Sequence, residues 1–553
     1  MRNTIQSLAG SWRLALLGAL TVLAAALPAG ATPTLTWSTY LGGSRNDTGT
    51  AIAAWHGITF VAGTTFSADF PVYSVSSSKP GNDETTSDAF VTALDSSGAP
   101  IYSTYVPLGE DNETVIGIDV GPDGSAYVVG TVTYEGNGNA MVVARLDPQG
   151  NLTWMQEVRG WVFAMGMSVD GQGNVYVIGF DGDDYEAGLF LWRLGPDGST
   201  HYRLGFDRYS YNVSDIAGDA SGNVYLSGST ENTDLPNPTG PAPDSLNGFV
   251  MKISPAGSIL WSAYLGGKMV DAAGDIVMAP DGSVVVTGSA VSQDFPTLNA
   301  LQPAPSGFTT DGFLVRLSPS GAPIFSTYLH ASYVPDLEVT ASGIHMVISD
   351  EEYDSPFRQL LDSACGRFFL LTLDPNASQI QDATCLDRYG PVMAADLTGI
   401  SMTGTAPLNL PVENAWQPAP AGEGDAFAAK LQFNNAPDCS TAFASPGLLW
   451  PPNGKMVPVS ILGVTGAEGD PVSLKVTGIS QDEPGAAYSG IGSSVARVKA
   501  ERDGKGDGRV YRILFETTDP SGASCAGKVT VCVPHDQGKG SCVDSGAQVQ
   551  SSR

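Results

Sequence analysis

Asp275-Ile276-Val277-Met278-Ala279-Pro280-Asp281-Gly282-Ser283-Val284-Val285-Val286-Thr287-Gly288 is the stretch on which the fold turns. Two short apolar runs flank a Pro-Asp-Gly in which Pro presets φ and Gly tolerates a positive one, so it reads as two strands joined by a tight turn. Downstream, Gly312-Phe313-Leu314-Val315-Arg316-Leu317, the turn Ser318-Pro319-Ser320-Gly321 and Phe325-Ser326-Thr327-Tyr328-Leu329 add a third and a fourth strand, rich in the residue types that suit a half-buried pleated surface. We name the four strands a to d.

The unit recurs. Strand b returns at Gly57 to Gly63, Ala126 to Gly130, Asn174 to Gly179, Asn223 to Gly228, Ser283 to Gly288, Ile344 to Ser349 and Ile400 to Gly404. Strand c returns at Asp88 to Leu94, Ala140 to Leu146, Leu189 to Leu194, Gly248 to Ile253, Gly312 to Leu317, Arg367 to Leu373 and Asp425 to Leu431. A spacing of roughly 50 to 65 residues suits one four-stranded blade with its loops, so the pattern predicts an all-β fold built on a seven-bladed β-propeller. Trp37-Ser38-Thr39-Tyr40-Leu41-Gly42-Gly43 is a strand d with no a, b or c before it, and the last unit ends on strand c. The N-terminal strand is therefore expected to complete the last blade and remove an open edge.

Tyr-Ser-Thr-Tyr-Leu-Gly-Gly-type strands, Asp88-Ala89-Phe90-Val91, Gly173-Asn174-Val175-Tyr176-Val177, and Asp69-Phe70-Pro71 and Asp294-Phe295-Pro296 after strand b resemble the SBBP (seven-bladed β-propeller) repeats of exported bacterial proteins. The resemblance covers residues 37–433, is strong in units one, four and five, and is degenerate in units two, three and six. It implies a fold and a compartment, and no active site. After a polar linker at 434–438, the run Leu449-Trp450-Pro451-Pro452-Asn453-Gly454-Lys455 and Phe515-Glu516-Thr517-Thr518-Asp519-Pro520 resemble HYR-like, immunoglobulin-like modules, which implies a β-sandwich over 439–553 used as a spacer or adhesion unit.

At the head of the chain, Arg2 and Arg13 precede apolar Leu14 to Leu27, and Ala29-Gly30-Ala31 gives a small-x-small cleavage pattern. Residues 1–31 thus read as a secretory signal peptide, with the propeller occupying 32–433 of a protein that is secreted, periplasmic or at the cell surface. An apolar run of about 14 residues is short for a bilayer, so no transmembrane anchor is expected in the mature chain. A formal charge of −30 makes nucleic acid an unsuitable partner, since phosphate binding draws on clustered Lys and Arg.

The 6 cysteines allow 15 connectivities. Cys365 and Cys385 flank a hairpin centred on Asp374-Pro375-Asn376 and are expected to face one another across strands c and d as a disulfide, with Cys439 to Cys525 and Cys532 to Cys542 as the other pairs. Free thiols or a metal site are the alternatives. An exported location and the lack of Cys-x-x-Cys weigh against both.

Topology puts the a–b and c–d turns on one rim and the b–c and d–a connections on the other. The second rim receives the long segments 64–87, 229–246, 289–310, 350–364 and 405–424, and ligand binding is expected there. Acid gathers on it: Asp83 and Glu84; Glu110, Asp111 and Glu113; Asp181, Asp183, Asp184 and Glu186; Asp350, Glu351, Glu352 and Asp354. Asp181, Asp183, Asp184 and Glu186 are the candidate calcium ligands, with Asp482 and Glu483, alongside Asp507 and Asp519, as a second candidate set in the C-terminal unit. None matches the spaced Asp-x-Asp-x-Asp-Gly loop, and a solvated acidic surface is the plainer reading. No cofactor other than calcium is indicated.

Of the 5 histidines, His56, His201, His345 and His535 fall in turns, strands or the tail, and only His330 ends a strand d on the loop-bearing rim. There is no serine elbow and no phosphate-cradling glycine loop. The expected function is a monomeric exported binding or surface-interaction protein whose extracellular ligand is a protein or glycan. The alternative is a secreted carbohydrate-active or lyase-type enzyme using carboxylates on the same rim.

Overall fold

The computed structural model describes residues 33–551 outside short stretches at 76, 78, 80–84, 135–137, 183–187, 207–210, 240–244, 308, 332, 341, 350–364, 366, 387–390, 397, 407–409, 434–436, 467–471, 505, 520–523, 537–541 and 547–548. Residues 1–31, read above as a signal peptide, lie outside the described residues, as do Asp83, Glu84, Asp350, Glu351, Glu352 and Asp354. Seven four-stranded antiparallel sheets follow one another along the first part of the chain, each in the order a-b-c-d. The inner strands a are Asp47–Trp55, Asn112–Val120, Val162–Val169, Asn212–Gly218, Asp271–Met278, Tyr333–Val339 and Val392–Asp396. The outer strands d are Pro100–Val106, Leu152–Gly160, Thr200–Phe206, Ile259–Leu265, Pro323–Leu329, Ile380–Cys385 and, for blade 7, Thr34–Leu41. This last strand pairs antiparallel with Ala426–Gln432, from Thr34 opposite Gln432 to Leu41 opposite Ala426, so the first strand of the described residues completes the last blade.

Why strands b and c stand out in the sequence is now physical. Both their faces are covered by neighbouring blades: in Val224–Thr230, Asn247–Ile253 and Asp311–Leu317 every residue is buried. Such strands read as continuous apolar runs and not as alternation. Each seam has its own apolar cluster, as where Tyr127, Val143 and Met141 of blade 2 meet Val162, Val177 and Trp192 of blade 3. In blades 1, 2, 3 and 5 a glycine in the c–d turn serves the same seam. Gly98, Gly150, Gly198 and Gly321 (φ 83°, 87°, 79° and 84°) lie against Trp37, Tyr102, Trp154 and Trp261 of the preceding blade. A Cβ there would meet the ring as well as an unfavourable φ.

The long b–c connections are not free along their length. In blades 1, 4, 5 and 7 the connection folds back along the outer strand: Tyr73 exchanges backbone hydrogen bonds with Ser103 (2.9 and 3.0 Å), Leu298 with Ser326 (2.9 and 2.8 Å), Asn237 and Thr239 pair with Ser262, and Glu413 pairs with Ser38. The serine hydroxyl then donates to the proline carbonyl just upstream, Ser103 to Pro71 at 2.6 Å and Ser326 to Pro296 at 2.5 Å, with Ser262 to Pro236 and Ser38 to Pro411 alike. An exposed edge strand has unpaired N–H and C=O groups, and this segment satisfies them. Blades 2 and 3 have short b–c connections and no such segment among the described residues; Met155 and Arg203 stand where the serines would be.

After residue 437 come two further sheets. One is ordered Phe443–Ser445, Met456–Leu462, Val495–Lys499, Tyr488–Ser489, the other Ser524–Pro534, Gly508–Thr518, Ser473–Gln481, Val549–Ser551. They share a core that includes Val459, Val498, Val476, Tyr511, Phe515 and Val531. Three disulfides are present: Cys365–Cys385, Cys439–Cys525 and Cys532–Cys542, with Cα separations of 5.5, 6.0 and 5.7 Å. One detail differs from the hairpin expectation. Strand c of blade 6 starts at Phe368, and Cys385 faces Phe369 in the ladder, so Cys365 reaches its partner from the segment before the strand.

Candidate functional site: the channel mouth

The seven inner strands line a central channel, and a cavity of about 570 Å³ occupies the end where those strands begin, on the rim of the b–c and d–a connections. Six of the inner strands carry a β-bulge against strand b, between Gly49 and Ala51, Val115 and Gly117, Ala164 and Gly166, Val213 and Asp215, Ala273 and Ile276, and Tyr333 and Asp336. Bulges re-aim side chains. Thr50, Ile116, Met165, Ser214, Asp275 and Val334, freed from the ladder at these points, all line the cavity.

The wall is two-sided. Blades 1 to 3 and 7 contribute Ile52, Ile118, Met165, Met167 and Met393, whereas blades 4 to 6 contribute Asp215, Asp275 and Asp336, the only ionisable side chains among the described lining residues. Burial pushes Asp275 and Asp336 up to about 7, aided at Asp275 by the charges of Asp336 and Glu338 and at Asp336 by that of Asp215. Asp215 stands well above the usual carboxylate range through burial and through Asp275, with which it shares a hydrogen bond. Below them, burial also raises Glu338 well above its ordinary value and takes Asp119 to about 6. Carboxyls this close titrate as a group and hold protons near neutrality.

These acids also join blade to blade. Val169 N–H donates to Asp119 (2.6 Å), Ile276 to Asp215 (3.0 Å), Leu337 to Asp275 (2.7 Å), Met393 to Asp336, and Gly57 to Asp396 (2.6 Å). Hydroxyls take the two remaining seams: Thr50 donates to Val115 O (3.0 Å), and Gly218 N–H donates to Ser168 (3.0 Å). Every seam of the ring thus has a side-chain latch from one blade to the next. The arrangement can accept hydrogen bonds from a ligand, attract positive charge, or donate from a shared proton. No His, Tyr, Lys or Arg is among the described lining residues.

The sequence-derived sites fall elsewhere. Asp181 ends strand b of blade 3 and pairs with Arg203 at 3.1 Å; Asp183, Asp184 and Glu186 lie outside the described residues. Asp482 is buried and accepts from Val510 N–H (2.8 Å), and Glu483 accepts from Asp503 N–H (2.6 Å) with Arg509 at 3.5 Å. Among the described residues no three His, Cys, Asp or Glu side chains gather to hold a metal ion. Glu113, read as a rim acid, is instead fully buried, accepts from Ala89 (2.7 Å) and Gly109 (2.5 Å) N–H groups, and is pushed up to about 8 by burial. His345 is buried between the Thr340 and Thr372 hydroxyls, both at 3.1 Å, and is held down to about 3 by burial. His330 contacts Ala304 O at 2.9 Å, within its own blade.

Among solved structures, the chain is similar to the polysaccharide lyase Uly1 (8% identity, 73% of this chain, 100% of that chain, TM-score 0.40). It is also similar to the Pan2 WD40 domain of Neurospora crassa (10%, 73%, 99%, 0.38) and to a protein of unknown function from Bacteroides caccae (10%, 52%, 87%, 0.31). No curated protein matches it. No helix of the described residues is long and apolar enough to cross a membrane, and the three disulfides fit an oxidising, extracytoplasmic setting. Residues 121–152, which span strands b and c of blade 2 with their flanking turns, match the family described as "Domain of unknown function (DUF5122) beta-propeller", and the seven sheets built on that same unit are a β-propeller.

Proposed function

We propose that this is an exported, monomeric binding protein, secreted or held in the periplasm or at the cell surface, whose protein or glycan ligand enters the channel mouth. The observation that carries this reading is the cavity of about 570 Å³ into which bulged inner strands aim an apolar side and a carboxyl side. The residues 1–31 and the disulfides support export. The C-terminal unit acts as a spacer of immunoglobulin-like type: its strand order, first-second-fifth-fourth in one sheet and third-sixth-seventh in the other, follows such sandwiches, with an eighth strand added beside the third. A strongly acidic chain suits a soluble extracellular surface and not a nucleic-acid partner.

One observation favours the second reading, a carboxylate-based glycosidase or lyase: Asp275 and Asp336 are pushed up to about 7, where a general acid would stand. Against it, each of these carboxyls is already engaged by a backbone N–H of the next blade. The test is a panel of extracellular polysaccharides and peptides presented to the wild-type chain and to Met165→Trp, which fills the mouth from a residue 37% exposed. Binding lost in Met165→Trp supports the channel site, and a ligand bound equally by both removes it. Depolymerisation of a bound polysaccharide that fails in Asp275→Asn would favour the enzyme.

A further inference from the structure

The seam between blade 7 and blade 1 buries two carboxylates with no cation placed between them by the described residues. Asp47 opens the inner strand of blade 1 and Asp425 immediately precedes strand c of blade 7; they are 1% and 2% exposed. Both close on the Gly42-Gly43 turn that follows the ring-closing strand. Asp47 Oδ2 accepts from Gly43 N–H (2.8 Å) and the Ser67 hydroxyl (3.0 Å), and Asp425 Oδ2 accepts from Ala421 N–H (2.8 Å). A Cβ on Gly42 would collide with both carboxylates, so they converge over a residue that leaves them room. Asp425 Oδ1, the atom nearest that Cβ position, is buried and accepts no hydrogen bond from the described residues. Such oxygens are costly to bury unless something neutralises them.

Other seams show what the repeat does about this. Between blades 1 and 2, Asp88 and Glu113 take the places of Asp425 and Asp47, and a fully buried Lys79 ammonium fills the site, 3.1 Å from Asp88 and donating to Phe66 O (3.2 Å) and Thr86 O (2.7 Å). Between blades 4 and 5, Asn247 replaces the first acid, and Asp271 spends both oxygens on Gly267, Val291 and Ser292 donors at 2.6 to 3.0 Å. One seam thus supplies a cation and another removes a charge. The 7–1 seam keeps both carboxylates and does neither; Arg45 close by is turned to surface Glu423 at 3.9 Å, and Asp69 is an acceptor for Ser44.

We propose that a divalent cation of the calcium class, a hard ion that takes oxygen ligands, binds between Asp425 Oδ1 and the Asp47 carboxylate, which meet beside Gly42. Its two charges match the two carboxylates, as the single charge of Lys79 matches Asp88 beside Glu113, which burial raises to about 8. It ties the turn after the closing strand to both blades it joins, at a site separate from the acidic sets at Asp181 and Asp482.

The test uses the full mature chain and calcium ion alone. Calorimetric titration of chelator-treated wild type should show one equivalent bound that raises the melting temperature. Asp425→Asn copies the Asn247 arrangement, which the repeat already accommodates, and Asp47→Asn removes the other ligand; either should abolish that equivalent and the thermal shift while leaving the far-ultraviolet spectrum unchanged. Failure of wild type to bind calcium at millimolar concentration overturns the proposal. So does a response that survives both substitutions, which would belong to another acidic set. A pair that holds a shared proton instead would give a melting temperature that falls with rising pH more steeply in wild type than in Asp425→Asn and ignores calcium, and this too overturns it.

Discussion

Replacing Asp275 with Asn removes one charge from the channel trio and keeps its geometry, because the amide oxygen can still accept from Leu337 N–H and the amide nitrogen can donate to Asp215. Asp275 and Asp336 titrate at about 7 in the folded protein against an ordinary 3.8. Between those values the folded state binds protons that the unfolded state does not, so stability falls as pH rises through this window and is level above it. A shift of this size on one carboxyl is worth ~4 kcal/mol at face value. Water in the channel and proton sharing among the three acids reduce the net gain from neutralising one of them to about 2 kcal/mol. The variant should therefore melt about 3 °C above wild type near pH 8 and show no gain near pH 4. Thermal unfolding of both proteins across that range measures it. If Asp275→Asn loses the same stability at both ends, the latch to Leu337 needs a carboxylate and the account of charge crowding is wrong.

Other outcomes follow from the same geometry. Deleting Thr34–Leu41 leaves Ala426–Gln432 as a bare edge, and the product should elute as aggregate in size exclusion; a monomer melting like wild type would contradict closure by this strand. Ser326→Ala removes the hydroxyl bond to Pro296 and should cost about 1 kcal/mol in urea unfolding, with no change counting against the edge latch. Peptide mapping without reduction should recover Cys365 with Cys385, Cys439 with Cys525 and Cys532 with Cys542, and alkylated free thiols would exclude them. His345, lowered to about 3 against an ordinary 6.5, adds stability that is present above that ordinary value and lost as pH falls below it; its ring resonances should not titrate between about pH 5 and 8.

The blades could be read from sequence because strands b and c are buried on both faces and announce themselves as unbroken apolar runs. The closure is legible for another reason: Trp37–Leu41 is a strand d with no a, b or c before it, and the last unit lacks a d. The edge latches were half visible: Asp69-Phe70-Pro71 and Asp294-Phe295-Pro296 mark them, but that the proline carbonyl awaits a serine some 30 residues later is a tertiary fact. The channel acids had a signal too. Asp215-Ile216, Asp275-Ile276 and Asp336-Leu337 repeat a carboxylate inside an apolar strand at one position of the unit, whereas attention to clustered acids led to the loops. Glu113 looked like a neighbour of Glu110 and Asp111, and only the fold turns it inward to two backbone N–H groups.

The pairing of Thr34–Leu41 with Ala426–Gln432 also sets an order of assembly. Thr34–Leu41 has no partner until nearly the whole propeller has been made, while each a-b-c-d sheet of blades 1 to 6 can form from contiguous chain as soon as its own residues emerge. Closing that last ladder spans the longest sequence separation in the ring and should be its slow step, since non-local pairing bears the loop-closure entropy before any contact rewards it. Until then the growing molecule is an open arc with a waiting strand at one end. The ring exists only once synthesis has reached its far side.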